Sequence, residues 1–288
     1  MNAAASARLG ELLAEPRYEV IPLDGVEEAV LEHVPRTLTL TVTASPTKGL
    51  EPTLELTARL LAAGYAAVPH LSARLVRDEA HLAELVARLH ELGVDEVFVV
   101  AGDAEEPAGP YVGGADLLRA LDRFGRPFAR VGITGYPESH PLIDDETTIQ
   151  AMFEKAKFAD SITSQICFDP AVTRAWIENV WARGTRLPIR VGLPGVVGSA
   201  KLLRVSAKIG LGDSMRFLRR HASTVGRLVR PGAYRPDRLL AGLEPCLADP
   251  ERKLAGFHVF TFNELEATER WRRERVAALP QPVAGGAG

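Results

Sequence analysis

Short apolar runs alternate with amphipathic segments along most of the chain. Many runs are rich in β-branched residues and end at glycine, proline or a polar residue, as expected of buried strands. The predicted strands are 17–22, 36–43, 65–70, 96–100, 131–135, 161–166, 187–192 and 256–261. Between them, apolar residues recur at helical spacing, for example at Leu82, Leu85, Val86 and Leu89.

The alternation of eight strands with helices predicts an α/β fold, a single closed (β/α)8 TIM barrel. An open doubly wound sheet is the alternative, but no Gly-x-Gly-x-x-Gly phosphate loop follows the first strand. A chain of 288 residues fits one such domain. We expect a helical extension over 1–16, the barrel over 17–279, and a disordered tail over 280–288. The stretch 199–243 reads as a helical insertion after the seventh strand that forms part of a lid.

The composition predicts a cytoplasmic globular protein. Hydrophobic residues make up 46% of the chain and charged residues 25%, as in ordinary globular proteins. The net charge of −3 does not indicate a basic surface for binding nucleic acid. Arg8, Glu11 and Glu15 interrupt the N-terminal stretch, so we expect no secretory signal, and no apolar run is long enough for a membrane span. Cys167 and Cys246 have no metal-type spacing and predict no disulfide framework and no metal site. The oligomeric state is left open.

Polar side chains stand at the C-terminal ends of most predicted strands. The clearest case is 131–141, where an apolar strand passes into a proline-flanked loop that holds a tyrosine, a carboxylate and an imidazole. Strand ends of a barrel converge on one mouth, where the catalytic groups of such barrels lie. Each residue alone is more simply explained as a cap or a packed side chain, but their recurrence favours a site. The candidates are Glu19, Thr43, His70, Asp103, Tyr136, His140, Gln165, Thr261 and Asn263.

Two carboxylates stand out among these candidates. Glu19 lies within an apolar run, where partial burial raises the pKa of a carboxyl group and lets it hold a proton as a general acid. The alternative is a buried glutamate paired with an arginine or lysine. Asp103 follows Gly102, which lets the backbone approach a ligand and presents the carboxylate to a cation. The alternative for Asp103 is a cap of the next loop.

In this order the motifs resemble the methylenetetrahydrofolate reductases, over about residues 18–270. The loop at 136–141 and the stretch 164–169 carry most of the resemblance. The matching segments are Tyr18-Glu19-Val20-Ile21-Pro22, Val42-Thr43, His70-Leu71-Ser72, Gly102-Asp103, Tyr136-Pro137-Glu138-Ser139-His140-Pro141, Ser164-Gln165-Ile166-Cys167-Phe168-Asp169, Gly192-Leu193-Pro194 and Phe257-His258-Val259-Phe260-Thr261-Phe262-Asn263.

The resemblance implies reduction of methylenetetrahydrofolate to methyltetrahydrofolate with NADH or NADPH as the electron source. It implies that Glu19 is the general acid and Asp103 the carboxylate near the folate. It also implies that Gln165 binds the pterin, with Thr43 and Tyr136 on the substrate, and that Thr43, His70, Tyr136 and His140 line a flavin pocket. Lys48, Arg74 and Lys201 are candidates for holding the folate tail.

The chain departs from this family at three positions. Ala101 stands where flavin-bearing members have an arginine, Glu154 where they have a lysine, and Gly198 where they have an aromatic residue. Loss of two cations leaves the diphosphate of FAD poorly neutralised, so we predict direct hydride transfer without tightly bound FAD. The alternatives are an FAD-dependent reductase that uses Lys155, Lys157 or backbone donors, and an inactive folate-binding protein or partner subunit.

Overall fold

The computed structural model describes residues 3–138, 145–198, 201–202, 233–249 and 254–279. Eight parallel strands close into a barrel in the order β1-β10-β7-β6-β5-β4-β3-β2, which confirms the (β/α)8 prediction. Two further strands, β8 and β9, form a short antiparallel pair outside the barrel. The strands are β1 (Arg17–Val20), β2 (Thr39–Val42), β3 (Ala67–Ser72), β4 (Glu96–Val100), β5 (Arg130–Gly135), β6 (Ser161–Ser164), β7 (Ile189–Pro194), β8 (Val197–Gly198), β9 (Ala233–Tyr234) and β10 (Leu254–Phe260).

Helices surround the barrel on its outer face. In the described residues they are α1 (Ala3–Ala14), α2 (Val26–His33), α3 (Glu51–Ala62), α4 (Glu79–Glu91), α5 (Gly114–Arg123), α6 (Asp145–Ala156), α7 (Pro170–Ala182), α8 (Asp237–Gly242), α9 (Glu244–Leu247) and α10 (Leu265–Ala277). Helix α7 begins as expected, with Asp169 Oδ1 accepting a hydrogen bond from Ala171 N at 2.8 Å and Pro170 in the first turn. The pattern of apolar residues had given no sign of α2.

Six of the eight predicted strand ends differ from the observed ones by one or two residues, and two of these differences bear on the site. His70 does not close the third strand, because β3 continues to Ser72 and pairs there with β4. The first strand stops at Val20, because Ile21 leaves the ladder and bonds to a side chain instead. Ile21 N donates to Asn263 Oδ1 and Ile21 O accepts from Asn263 Nδ2, both at 2.9 Å. These shifts decide which side chains lie inside the barrel and which lie at its mouth.

The insertion after β7 is not helical throughout. Residues Ala233 and Tyr234 pair with Gly198 and Val197 as a two-stranded ribbon, and α8 and α9 follow. The part at 203–232 lies outside the described residues, and so does the tail at 280–288. The predicted lid and the predicted disordered tail therefore stay predictions.

The N-terminal helix α1 packs against the barrel. Leu9 and Leu13 are fully buried, and Arg8 Nη2 donates to Leu254 O of β10 at 2.8 Å. Arg272 of α10 donates to Leu13 O at 3.0 Å, which joins the first helix to the last. Burial of leucine side chains stabilises such contacts by roughly 1.5–3 kcal/mol each.

Charged side chains close the N-terminal end of the barrel interior. Glu96 of β4 accepts hydrogen bonds from Arg17 Nη1 of β1 at 2.5 Å and from Arg130 Nε of β5 at 3.0 Å. Arg190 of β7 lies near this group, and burial, together with the neighbouring Arg17 charge, lowers its pKa to about 10. We call Arg17, Glu96, Arg130 and Arg190 the floor cluster, since the mouth is at the opposite end.

Candidate active site

Glu19 points into the barrel because the residues of β1 alternate. Tyr18 and Val20 are fully buried on the outer side, against the helices, and Glu19 takes the inner side with 16% of its side chain exposed. Its partners are two histidines, rather than the arginine or lysine that the sequence left open. His258 Nε2 lies 3.1 Å from Glu19 Oε2, and His70 Nε2 lies 3.9 Å from the same oxygen.

Aromatic rings hold both histidines below the mouth. The Phe98 ring lies 4.8 Å from the His70 ring and 6.3 Å from the His258 ring, and Phe260 packs against His258 at 4.7 Å. His70 is 6% exposed, and among the described residues its Nε2 finds no hydrogen-bond partner. Burial lowers the pKa of His70 to about 4, so this imidazole is neutral near pH 7. The hydroxyl of Thr41, next to Glu19 in the ladder, is also buried and has no hydrogen-bond partner in the part of the chain that the structure describes.

Three predicted site residues stand at the mouth itself. Thr43 N donates to Val20 O at 3.0 Å, which places Thr43 beside the end of β1 and near Glu19. Gln165 N donates to Gly135 O at 2.7 Å, and Gln165 Oε1 accepts from Ile166 N at 2.9 Å. Gln165 therefore lies next to the end of β5, where Tyr136 follows directly. His140 lies outside the described residues.

The exposed Asp103 lies in the loop after β4, which an arginine holds in place. Gly102 has φ 94°, and a Cβ there would come within 1.8 Å of Ser72 Oγ, so only glycine fits. Arg74 donates to the backbone carbonyls of Ala104 at 2.6 Å and of Glu105. The Arg74 guanidinium thus fixes the Asp103 loop. Because its hydrogens are used in these contacts, the guanidinium is not placed to bind a folate tail.

The other two candidates for binding the folate tail, Lys48 and Lys201, differ in whether their amines are free to bind a ligand. Lys201 Nζ donates to Phe262 O and to Glu264 Oε1, both at 2.7 Å, so its three hydrogens are largely committed. Lys48 is exposed on the loop after β2. Of the three candidates, Lys48 is the one whose amine the described residues leave available to a ligand.

Lys155 of α6, the residue after Glu154, reaches the mouth of the barrel. Glu154 lies on the outer surface and pairs with Arg119 at 3.2 Å. Lys155 Nζ lies 3.3 Å from Thr134 Oγ1 and 3.4 Å from Thr134 O, at the C-terminal end of β5. Burial lowers the pKa of Lys155 to about 8. The sequence analysis counted a cation as lost at Glu154, and the structure places the Lys155 amine, one residue later, at the end of β5.

Two candidates from the eighth barrel strand close the barrel instead of facing a ligand. Thr261 Oγ1 donates to Glu19 O at 2.5 Å, and the Asn263 amide takes both backbone groups of Ile21. Phe262 and Asn263 have φ of 52° and 60°, which makes a left-handed turn. This turn brings the side chains of Thr261 and Asn263 back to the end of β1. For this pair the capping interpretation holds.

Comparison with known proteins agrees with the residue-level picture. A model of the methylenetetrahydrofolate reductase family matches residues 29–211, well over half of the chain. The chain belongs to the methylenetetrahydrofolate reductase family. A curated relative, methylenetetrahydrofolate reductase 1 of Schizosaccharomyces pombe strain 972, is 24% identical over 139 residues. That match covers 46% of this chain and 23% of the relative, so the chain matches under a quarter of the relative's length.

Two solved structures show a limited similarity to this chain. A candidate phosphonomutase of Burkholderia cenocepacia J2315 has a TM-score of 0.45 at 15% identity, covering 67% of this chain and 84% of that one. A candidate lyase/mutase of the same organism has a TM-score of 0.48 at 16% identity, covering 95% of this chain and 86% of that one.

The described residues contain neither a candidate membrane-spanning helix nor a candidate metal cluster. None of the described helices combines the length and the apolar character that crossing a bilayer requires. Within the same residues, no group of three or more histidine, cysteine, aspartate or glutamate side chains is arranged to hold a metal ion.

His258 and Phe98 are site residues that the sequence did not single out, and Lys155 was named only in the FAD-dependent alternative. His258 and Phe260 are two residues apart in β10 and thus share the inner face. A search for polar residues on the inner face of each strand, instead of at strand ends, would have found His258.

Proposed function

We propose that this reductase-family protein converts methylenetetrahydrofolate to methyltetrahydrofolate, with NADH or NADPH as the hydride donor. The observation that carries the proposal is the inward-facing Glu19 carboxyl group, tied at Oε2 to His258 and partly open to the mouth. A protein that only binds folate has no need of a carboxyl group held in this way. Family membership supports the same reaction.

Glu19 supplies the proton that makes the substrate reactive. The bridging methylene group becomes an electrophile only when its five-membered ring opens. Proton transfer from Glu19 to the aryl amine nitrogen lets the carbon–nitrogen bond break with its electron pair on that nitrogen, and an iminium cation forms. Hydride from the nicotinamide then adds to the iminium carbon and gives the methyl group.

Asp103 and Gln165 take supporting roles in this proposal. The Asp103 carboxylate, on the loop held by Arg74, stabilises the iminium cation electrostatically. Gln165 and Tyr136 stand side by side at the mouth, on the ends of β6 and β5, where an amide and a phenol can hydrogen-bond the pterin. Thr43 lines the opposite edge beside β1, next to Glu19.

The described residues fit the diphosphate of a tightly held FAD poorly. Ala101 brings no charge, and its carbonyl accepts from Arg74 N at 3.0 Å and from Ser72 Oγ at 3.3 Å. The neighbouring Asp103 is a carboxylate that repels phosphate. Lys155 of α6 brings one cation to the end of β5. We therefore derive no step through a flavin and propose direct transfer from the nicotinamide.

One cation suffices for a dinucleotide that binds and leaves in every cycle. A substrate with a KM between 1 µM and 1 mM needs only about 4–8 kcal/mol of binding free energy, far less than a permanently held group. Lys155 can supply a charge-assisted hydrogen bond to such a diphosphate. We propose that the Lys155 amine contacts the diphosphate of the nicotinamide donor.

Lys155→Met is expected to raise the KM for NADH by about 10- to 100-fold with little change in kcat, because one hydrogen bond to a charged group is lost. The matched control is Lys157→Met, since Lys157 is exposed in the turn directly after the same helix. In the wild type, the KM for NADH should rise as the pH passes about 8, where the Lys155 amine loses its charge. An unchanged KM in Lys155→Met would place the diphosphate elsewhere.

The proposed function is tested by the spectrum and the activity of the purified protein. We expect a preparation without the visible absorption of flavin that oxidises NADH anaerobically when methylenetetrahydrofolate is added. Deuterium from labelled NADH should enter the methyl group of the product without exchange with solvent. A stoichiometric flavin band would overturn direct transfer, and failure to form methyltetrahydrofolate with any donor would leave the folate-binding alternative.

A further inference from the structure

The Glu19 carboxyl group is contacted on one oxygen only. Both imidazoles approach Oε2, at 3.1 Å from His258 Nε2 and 3.9 Å from His70 Nε2. Only the first of these is a hydrogen-bond distance. Within the part of the chain that the structure describes, Oε1 makes no hydrogen bond. The two oxygens of the acid are therefore not equivalent.

We propose that His258 is a positioning residue that keeps the acidic proton of Glu19 on Oε1. In this assignment His258 carries a hydrogen on Nε2 and donates it to Oε2. A carboxyl group that accepts a hydrogen bond at Oε2 carries its own proton on Oε1, the oxygen that has no histidine contact. The inference rests on the proposed reductase function, because it concerns the acid of that reaction.

The packing around His258 supports a fixed donor. The side chain is 2% exposed, the Phe98 ring stacks over it at an interplanar angle of 25°, and the Phe260 ring meets it edge-on. These contacts fix the plane of the imidazole and aim Nε2 at Glu19. In the opposite arrangement, Glu19 would donate its proton to Nε2, and the proton would be held against a buried ring, away from the substrate.

The same hydrogen bond serves the acid after it has reacted. When the Oε1–H bond breaks and the amine N–H bond forms, the electron pair of the Oε1–H bond stays on the carboxylate. The His258 N–H then donates to a charged acceptor, which makes a stronger hydrogen bond than before. A proton from solvent restores Glu19 after the product has left. His258 itself neither gains nor loses a proton in this cycle.

Two substitutions separate this role from packing. His258→Phe keeps an aromatic ring between Phe98 and Phe260 but removes the N–H donor, and we expect kcat to fall by about 10- to 100-fold with little change in the KM for methylenetetrahydrofolate. His258→Gln places an amide N–H near the same point and should retain most of the turnover. His33→Phe and His33→Gln, on α2, are the matched controls, and thermal unfolding verifies that each variant folds.

The tautomer of His258 can be measured without any activity. Long-range 1H–15N spectra of the wild type, with the signal assigned by its loss in His258→Gln, should show a hydrogen on Nε2 alone. A hydrogen on Nδ1 alone, or an imidazolium paired with a carboxylate, would overturn the proposal. So would wild-type kcat in His258→Phe, provided that the wild type is active. If the wild type forms no methyltetrahydrofolate, the reductase proposal fails, and the spectra still decide the tautomer.

Discussion

Replacing Glu19 with glutamine should lower the turnover of methylenetetrahydrofolate by about 10²- to 10⁴-fold, the usual contribution of a general acid. Glutamine keeps the size of the side chain and can still accept a hydrogen bond from His258, but it has no acidic proton to give. The substrate ring then opens without assistance, and hydride has no iminium carbon to attack. Turnover is measured anaerobically with saturating NADH.

Binding distinguishes loss of the acid from loss of the site. Tetrahydrofolate should still bind to Glu19→Gln with an affinity close to that of the wild type, as measured by calorimetry. Glu28→Gln, an exposed position on α2, is the control and should have full activity. If Glu19→Gln turns over at nearly the wild-type rate, another group donates the proton and the proposed role of Glu19 is wrong.

Replacing Glu96 with glutamine should destabilise the protein by about 3–5 kcal/mol, because it leaves the largely buried Arg17 without its counter-charge. Glu96 is 6% exposed at its side chain and holds Arg17, which is 15% exposed, and Arg130. At about 2 °C per kcal/mol for a chain of this size, the melting temperature should drop by roughly 6–10 °C. Glu266→Gln, in an exposed pair with Arg270, should change stability by less than about 0.5 kcal/mol.

The floor cluster also predicts how stability responds to acid. Burial alone would raise the pKa of Glu96, but hydrogen bonds from Arg17 and Arg130 and the Arg17 charge outweigh burial and lower the pKa. The stabilisation is therefore present above the pKa of the unfolded carboxyl group and is lost as the pH falls through the lower folded pKa. The gap in stability between the wild type and Glu96→Gln should narrow on acidification. A constant gap would show that the carboxylate charge is not the cause.

The barrel was predictable from the sequence because each strand is short, apolar and separated from the next by a helix. Strand ends were less predictable, since they depend on groups far away in the chain. Ile21 leaves the ladder because the Asn263 side chain, 242 residues later, takes its N–H and C=O. No local pattern at Ile21 records that contact. Helix α2 was missed because only Val26 and Val30 of its residues are buried.

The sequence indicated several residues of the candidate site but not the contacts between them. Glu19 was recognised as an unusual carboxylate. Its partner His258 lies 239 positions away, so the residues around Glu19 do not indicate this contact. Lys155 shows a second limit. Successive residues of a helix point about 100° apart, so Glu154 lies outside against Arg119 while Lys155 points inward to Thr134. The local pattern around α6 did not show which of the two residues faces the mouth.

Closure of the barrel joins its first strand, β1, to its last strand, β10, directly at Glu19. Its carbonyl accepts from Thr261, its carboxyl group meets His258, and Ile21 is held by Asn263, all across about 240 positions of sequence. Contacts of such high sequence separation carry the largest loop-closure entropy and tend to form late in folding. A nascent or partly folded chain can hold every strand up to β7 and still lack the environment of its acid. Under the proposed function, proton donation by Glu19 therefore begins only when β10 docks, and we expect no turnover before that step.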